Sequence, residues 1–267
     1  MLPINNTPAP AAVERGPVKL SKIGAVSGQR IALHGGPGIG KTSLALTAPG
    51  PTAFIDLEKR LPLLKRAGAA GADDVLTVDG ITTYNELREA LNASGWDKVR
   101  TIVIDSATLA EDMTVKHVLK NVRHEKGQKV DRLEDYGWGK GYRHLFDAWL
   151  LLISDFDRHA DAGRNVIVIC HSALGKRPNP MGDDFMCYQL ALQHSDKVSL
   201  REKFTAWCDH LFYIGYDVSV NDGKATCGAR TIYTAKQPTF DAKSTLPPKP
   251  IGYDKGSNTL WERMGIK

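Results

Sequence analysis

Gly35-Gly36-Pro37-Gly38-Ile39-Gly40-Lys41-Thr42 is an uninterrupted GxxxxGKT octapeptide, and the preceding Arg30-Ile31-Ala32-Leu33-His34 reads as a buried strand. Glycines at 35, 38 and 40 open backbone angles closed to other residues, so that successive N–H groups can converge on one phosphate. The helix expected to start at Lys41-Thr42-Ser43 points its positive end at the same place. In that geometry Lys41 reaches the β- and γ-phosphates of a nucleotide and the Thr42 hydroxyl ligates Mg²⁺. Gly35, Gly36, Pro37, Gly38, Ile39, Gly40, Lys41, Thr42 and Ser43 are therefore the expected nucleotide cradle.

Working outward, short apolar runs alternate with helical patterns. Thr52 to Asp56, Val75 to Val78, Thr101 to Asp105 and Val166 to Cys170 read as strands. Thr83-Tyr84-Asn85-Glu86 is a capping box that opens a helix through Leu91, and Tyr142 to His159 carries Leu145, Trp149, Leu152 and Phe156 at helical spacing. Such alternation predicts an α/β fold with a mostly parallel sheet flanked by helices. After Asp209 the pattern turns to β, and Leu211 to Val220 with Thr226 to Thr234 predict an antiparallel hairpin around Asn221-Asp222-Gly223. Residues 1–17 read as a flexible leader, 18–235 as one ATPase-type domain, and 236–267 as a Pro- and Lys-rich surface tail with little regular structure.

The chain has 267 residues and a formal charge of +5, which permits a polyanionic partner without demanding one. No membrane span or export signal is visible. The four cysteines, Cys170, Cys187, Cys208 and Cys227, show no metal-ligand spacing and fit free thiols in a reducing compartment, so a cytoplasmic location is expected.

Nucleotide hydrolysis needs a second group on the metal. Thr101-Ile102-Val103-Ile104-Asp105-Ser106 supplies an apolar strand ending in a carboxylate, which makes Asp105 the expected partner of Thr42 on Mg²⁺. Ligands of open parallel sheets sit beyond the carboxyl ends of the strands, where Asp105 emerges. A residue must also orient the attacking water. Phe54-Ile55-Asp56-Leu57-Glu58 offers two acids; Glu58, past the strand end, is placed to lean over the phosphates, with Asp56 behind it. A solvated acid paired with Lys59 or Arg60 is the competing reading of Glu58.

These motifs, in this order, resemble the RecA-type recombinase core: a phosphate loop, a strand ending Phe-Ile-Asp-x-Glu, a strand ending Asp-Ser, and a strand ending in a polar sensor, here His171. The resemblance covers about Lys19 to Thr234. It is nearest to compact RecA-like ATPases of bacteriophages that act in single-strand annealing or recombination, through the short chain, His171, Tyr136-Gly137-Trp138-Gly139-Lys140-Gly141 and Asp241-Ala242-Lys243-Ser244. The chain departs from full recombinases in lacking their N-terminal polymerisation and C-terminal DNA-gathering domains and in carrying His171 where RecA has Gln.

The resemblance implies a P-loop NTPase core, ATP and Mg²⁺ as cofactors, Glu58 as the catalytic acid, and His171 as reporter of the γ-phosphate. It also implies that the loops after the Asp strand and the sensor strand contact single-stranded DNA. The first region has the matching chemistry: Lys116, Lys120, Arg123, Lys126, Lys129 and Arg132, with Tyr136, Trp138 and Tyr142 close behind. The second, Ser172 to Lys203, carries Lys176 and Arg177 and reads as a mobile loop. Cations supplied in trans by a neighbouring copy complete such sites, and Arg230, Lys236 and Lys243 are the candidates.

Expected together are a Mg-dependent, DNA-stimulated ATPase that binds single-stranded DNA in phage recombination, annealing or replication in the host cytoplasm, assembles as a homo-oligomer, and works with a phage or host single-strand-binding or recombination partner. The rival reading is a nucleotide-gated adaptor or loader whose basic segment faces protein. Trp149, Trp207 and Trp261 are assigned to packing.

Overall fold

The computed structural model describes residues 20, 22, 28–221 and 224–266. The expected leader and the centre of the expected turn, Asp222 and Gly223, lie outside the described residues. The elements are β1 (Arg30–Gly35), α1 (Lys41–Leu46), β2 (Thr52–Asp56), α2 (Leu61–Arg66), β3 (Leu76–Thr77), α3 (Tyr84–Asn92), β4 (Thr101–Asp105), α4 (Ala107–Asn121), α5 (Lys140–Asp161), β5 (Asn165–Arg177), β6 (Phe185–Leu190), α6 (Leu200–Trp207), β7 (His210–Asn221), β8 (Lys224–Tyr233), β9 (Ile251–Gly252) and α7 (Thr259–Arg263).

One sheet runs β3-β2-β4-β5-β1-β7-β8-β9, with β6 attached to β5. Pairing from β3 across to β7 is parallel; β8 and β9 then add antiparallel strands, as the hairpin pattern predicted. The central strands read as continuous apolar runs because both faces are covered. Their side chains alternate between two cores. Ala32, Ile102, Ile104, Val166 and Val168 face α3, α4, α5 and α6; Ile31, Leu33, Val103, Ile167 and Ile169 face α1, α2 and α7. The capping box forms as read: Thr83 Oγ1 accepts the Glu86 N–H and Glu86 accepts the Thr83 N–H at 2.9 Å. Trp149 and Trp261 are fully buried, and Trp207 stacks on Phe204.

Two segments differ from their sequence reading. Ser172 to Lys203, read as a mobile loop, is half regular: β5 continues past the main sheet, and Ser172 to Arg177 pair with β6 in an antiparallel hairpin before α6 follows. The Pro/Gly cluster, with Pro178, Pro180 and Gly182, is confined to the turn between the two strands. The segment after Lys236, read as a surface tail, adds β9 to the sheet edge and buries Ile251, Tyr253, Leu260 and Trp261 in the core that contains α1. Its few apolar residues are spaced without period, yet Ile251 pairs with β8, Tyr253 reaches the phosphate loop and Trp261 packs on α1.

Candidate active site

Strand order brings the site together. β5 lies between β1 and β4, so the loop leaving β1 and the ends of β4 and β5 open at one carboxyl edge. The Thr42 hydroxyl donates to Asp105 Oδ2 at 2.7 Å, although 63 residues separate them. Burial pushes the Asp105 carboxyl up to about 6, against the pull of the Thr42 hydrogen bond. A fully buried carboxylate beside a hydroxyl suits a divalent cation, whose charge would offset the desolvation. Mg²⁺ keeps waters and substrate phosphate oxygens as ligands and needs only one or two protein groups, so Thr42 and Asp105 fit it.

Lys41 is 8% exposed, and its ammonium donates to the carbonyls of Gly35 and Gly36, both at 2.9 Å. Burial lowers its pKa, opposed by the charges of Asp105 and Glu58. These carbonyl contacts keep the amine folded onto its own loop, from which it can swing to phosphate oxygens. Gly40 has φ +106°, a region that side-chain-bearing residues rarely adopt. Its carbonyl accepts the Tyr253 hydroxyl at 2.7 Å.

Glu58 is fixed by backbone. The N–H groups of Leu57 and Glu58 both donate to the Asp105 carbonyl, at 2.8 and 3.1 Å, which ties the exit of β2 to the exit of β4. Glu58 Oε1 contacts His171 Nε2 at 2.7 Å and accepts the Ser106 hydroxyl at 2.9 Å; Oε2 pairs with Arg60 at 3.1 Å. Burial raises the Glu58 pKa, but the hydrogen bonds from His171 and Ser106 and the charges of His171 and Arg60 outweigh it and leave the group below its ordinary value. The Arg60 pairing of the competing reading is present on Oε2, but the carboxylate is 11% exposed and not a solvated acid. Asp56 turns away and accepts the N–H groups of Arg60 and Leu61, at 3.2 and 2.9 Å, at the start of α2.

Pro37, Gly38, Gly40, Lys41, Thr42, Ser43, Glu58, Asp105 and His171 line one cleft with Arg60, Leu63, Leu64 and Lys255. Leu63, Leu64 and Lys255 escaped the sequence reading, which named Arg60 only as a pairing partner of Glu58. Lys255 lies some two hundred residues beyond the loop, and nothing local marks it. His34 escaped too: it is fully buried beneath the loop, bonded to Ser172 Oγ at 2.9 Å and the Asp241 carbonyl at 2.7 Å. Burial pushes its pKa down to about 4, so it is neutral at pH 7.

The AAA_24 family, an AAA domain, matches residues 27–246. The chain belongs to that family. As an AAA_24 member it is a P-loop ATPase in general class. No curated protein matches the chain. Among the described residues no helix is long and apolar enough to cross a membrane.

The remaining candidates sit apart from this cleft or are otherwise engaged. Lys116, Lys120, Arg123, Lys126, Lys129 and Arg132 are all exposed, on α4 and the segment after it, and Lys116 and Lys120 line a groove with Thr82 to Asn85 at the start of α3. Tyr136 is buried with its hydroxyl donating to the Val122 carbonyl at 2.5 Å, and the Tyr142 hydroxyl is bonded to Glu134. Trp138 is 93% exposed at φ +51° between Gly137 and Gly139, which also have positive φ.

In the hairpin, Lys176 is exposed and pairs with Asp184 at 2.9 Å, whereas the Arg177 side chain is 18% exposed and pairs with Asp241 at 2.5 Å. Arg177 therefore points into the protein, contrary to a surface DNA contact. Arg230 lies over the rings of Tyr216 and Tyr253, both at 5.6 Å, and its Nε is buried without a partner. Lys236 is mostly exposed, 3.8 Å from Asp241. Lys243 donates to the carbonyls of Thr205 and Ala206, at 2.8 and 3.2 Å, and so caps the end of α6 in its own chain.

Proposed function

We propose that this protein is a Mg-dependent ATPase whose nucleotide cycle is coupled to single-stranded DNA, serving phage recombination, annealing or replication as a homo-oligomer in the host cytoplasm. The observation that carries the reading is the 2.7 Å contact between Glu58 and His171 in the cleft of the phosphate loop. It joins a water-orienting acid to a residue one position before β5 leaves the main sheet and becomes the β5–β6 hairpin.

The phosphates of ATP are held by the amides of Gly38 to Thr42 and by Lys41, released from the Gly35 and Gly36 carbonyls. Thr42 and Asp105 would hold Mg²⁺, which when bound would supply positive charge to the phosphoryl oxygens. Glu58 orients the water. His171 can donate to either Glu58 or a γ-phosphate, so nucleotide binding competes for the contact and reports to the strand that carries His171. The exposed cations from Lys116 to Arg132 follow phosphates, and Trp138 offers a face for base stacking. Arg230 and Lys236 are the better placed candidates for action on a neighbouring copy, since Lys243 is occupied in cis.

A second reading has its own support. Lys140, Lys176 and Arg177 are paired within the chain with Glu125, Asp184 and Asp241, which subtracts cations from a DNA surface and favours an adaptor or loader whose basic segment meets a recombination or single-strand-binding protein. Steady-state ATP hydrolysis with and without long single-stranded DNA, with Lys41→Ala as control, separates them. Stimulation that Lys41→Ala abolishes supports DNA coupling. Hydrolysis indifferent to DNA, together with oligo-dT affinity that shows no salt dependence, refutes it in favour of the adaptor.

A further inference from the structure

Residues 253–261 are fastened to the phosphate loop and α1 at three points. The Tyr253 hydroxyl donates to the Gly40 carbonyl at 2.7 Å, the Thr47 hydroxyl to the Ser257 carbonyl at 3.1 Å, and the Trp261 indole N–H to the Leu44 carbonyl at 3.1 Å. Lys255 stands between the first two anchors. Its fit to the loop is close: a Cβ built on Gly40 would lie 3.1 Å from the Tyr253 ring and 3.5 Å from Lys255 Cγ. The turn that follows is equally confined, since Gly256 has φ +89° and a Cβ there would lie 2.9 Å from the Ala70 Cβ.

We propose that Lys255 is a nucleotide-binding residue that holds the phosphate chain of a nucleoside di- or triphosphate at its nucleoside end. The inference rests on the nucleotide-site reading above and adds a cation to it. Lys255 lines the same cleft as Gly38, Gly40 and Ser43, and among the described residues no carboxylate is paired with it. Lys41, Asp105 and His171 already gather where the terminal phosphate is processed. Leu63 and Leu64 supply an apolar ledge in the same cleft for a base. An exposed lysine on an anchored backbone adds Coulomb attraction to the cleft, so its first effect is on affinity.

The test is calorimetric titration of the full chain with MgADP and with MgATP, for the wild type, Lys255→Met and Lys255→Arg. The Met variant keeps the aliphatic stem and loses the charge. It is expected to weaken both nucleotides by a similar factor, about five- to thirtyfold for one partly solvated charge-assisted contact. Lys255→Arg is expected to stay within about threefold of wild type. Unchanged MgADP affinity in Lys255→Met overturns the proposal, and so does weakening confined to MgATP, which would place the cation at the terminal phosphate. Equal losses in the Met and Arg variants with a matching fall in Tm also overturn it, as a packing effect. Failure of the wild-type chain itself to bind removes the nucleotide reading and this inference together, whereas the other results leave that reading intact.

Discussion

Replacing Glu58 by Gln isolates the step for which its carboxylate is placed. The amide has nearly the same shape, and its oxygen can still accept the Ser106 hydroxyl that now donates at 2.9 Å. What disappears is the negative charge facing His171 and Arg60. The Arg60 side chain is 62% exposed, so that pair contributes little to folding, and the variant is expected to melt within a few degrees of wild type. Water activation by a positioned acid or base accounts for roughly 10²- to 10⁴-fold in rate, or about 3–5 kcal/mol of barrier. Turnover at saturating MgATP should therefore fall by at least about a hundredfold. ATP affinity should be kept or improved, because the loop amides and Lys41 are untouched and a negative charge has left the cleft. Phosphate release and nucleotide binding, measured on the same preparation, decide the matter. A variant that turns over within about tenfold of wild type refutes the role given to Glu58; one that loses binding in step with turnover shows that the acid builds the cleft and does not act in it.

Trp261→Ala removes a fully buried indole that donates to the Leu44 carbonyl, and should cost about 3–5 kcal/mol in denaturant unfolding; a loss under about 1 kcal/mol would return the C-terminal segment to the status of a surface tail. Glu111 is held mostly out of water, and burial pushes its pKa up to about 7 despite the Gln193 N–H it accepts at 2.8 Å. Its proton is therefore kept longer in the folded state, and stability falls as pH rises from the unfolded value near 4.5 through 7. Glu111→Gln should leave Tm unchanged at pH 4 and raise it at pH 8, and equal Tm differences at both pH values would refute the assignment. Arg177→Ala leaves Asp241 in place as a largely buried, poorly compensated carboxylate, so it should destabilise the chain by about 3 kcal/mol or more. Replacing Lys116 and Lys120 together by Gln should reduce the salt slope of oligo-dT binding by about 1.4 while leaving Tm within a few degrees. The opposite pattern in either case would reverse the surface and interior roles of these cations.

The parts of the site that the sequence disclosed are those whose chemistry forces a local pattern. A phosphate loop must be glycine-rich between a strand and a helix, and a doubly covered strand must be apolar until it ends, which exposed Asp105 and the β2 exit to view. β1, β2 and β4 follow from the same rule, and their ends coincide with the apolar runs or extend them by one residue. The capping box at Thr83 is likewise complete within four residues. Features that depend on partners far along the chain left no such trace. His34 looks like any polar residue in a strand until Ser172 and Asp241 close around it, 138 and 207 residues away. Arg177 reads as one more surface cation until Asp241, 64 residues on, takes it inward. Lys255 reaches the cleft and Tyr253 the phosphate loop only because Trp261 and Ile251 find room in a core built two hundred residues earlier.

β5 is a single strand of 13 residues, and its two halves obey different neighbours. Up to Ile169 it is paired on both sides, with β1 and β4; beyond His171 its ladder partner is β6, while His34 holds Ser172 and Asp241 pairs with Arg177. Six residues of extended chain past His171 make an arm of roughly 20 Å. If the contact of His171 with Glu58 is exchanged for another, any tilt at that residue is magnified in proportion to the arm, and about 5° at the base carries the tip nearly 2 Å. A displacement too small to reshape the cleft thus becomes, at the far end of the hairpin, comparable to a bond length, large enough to make or break a contact with whatever lies there.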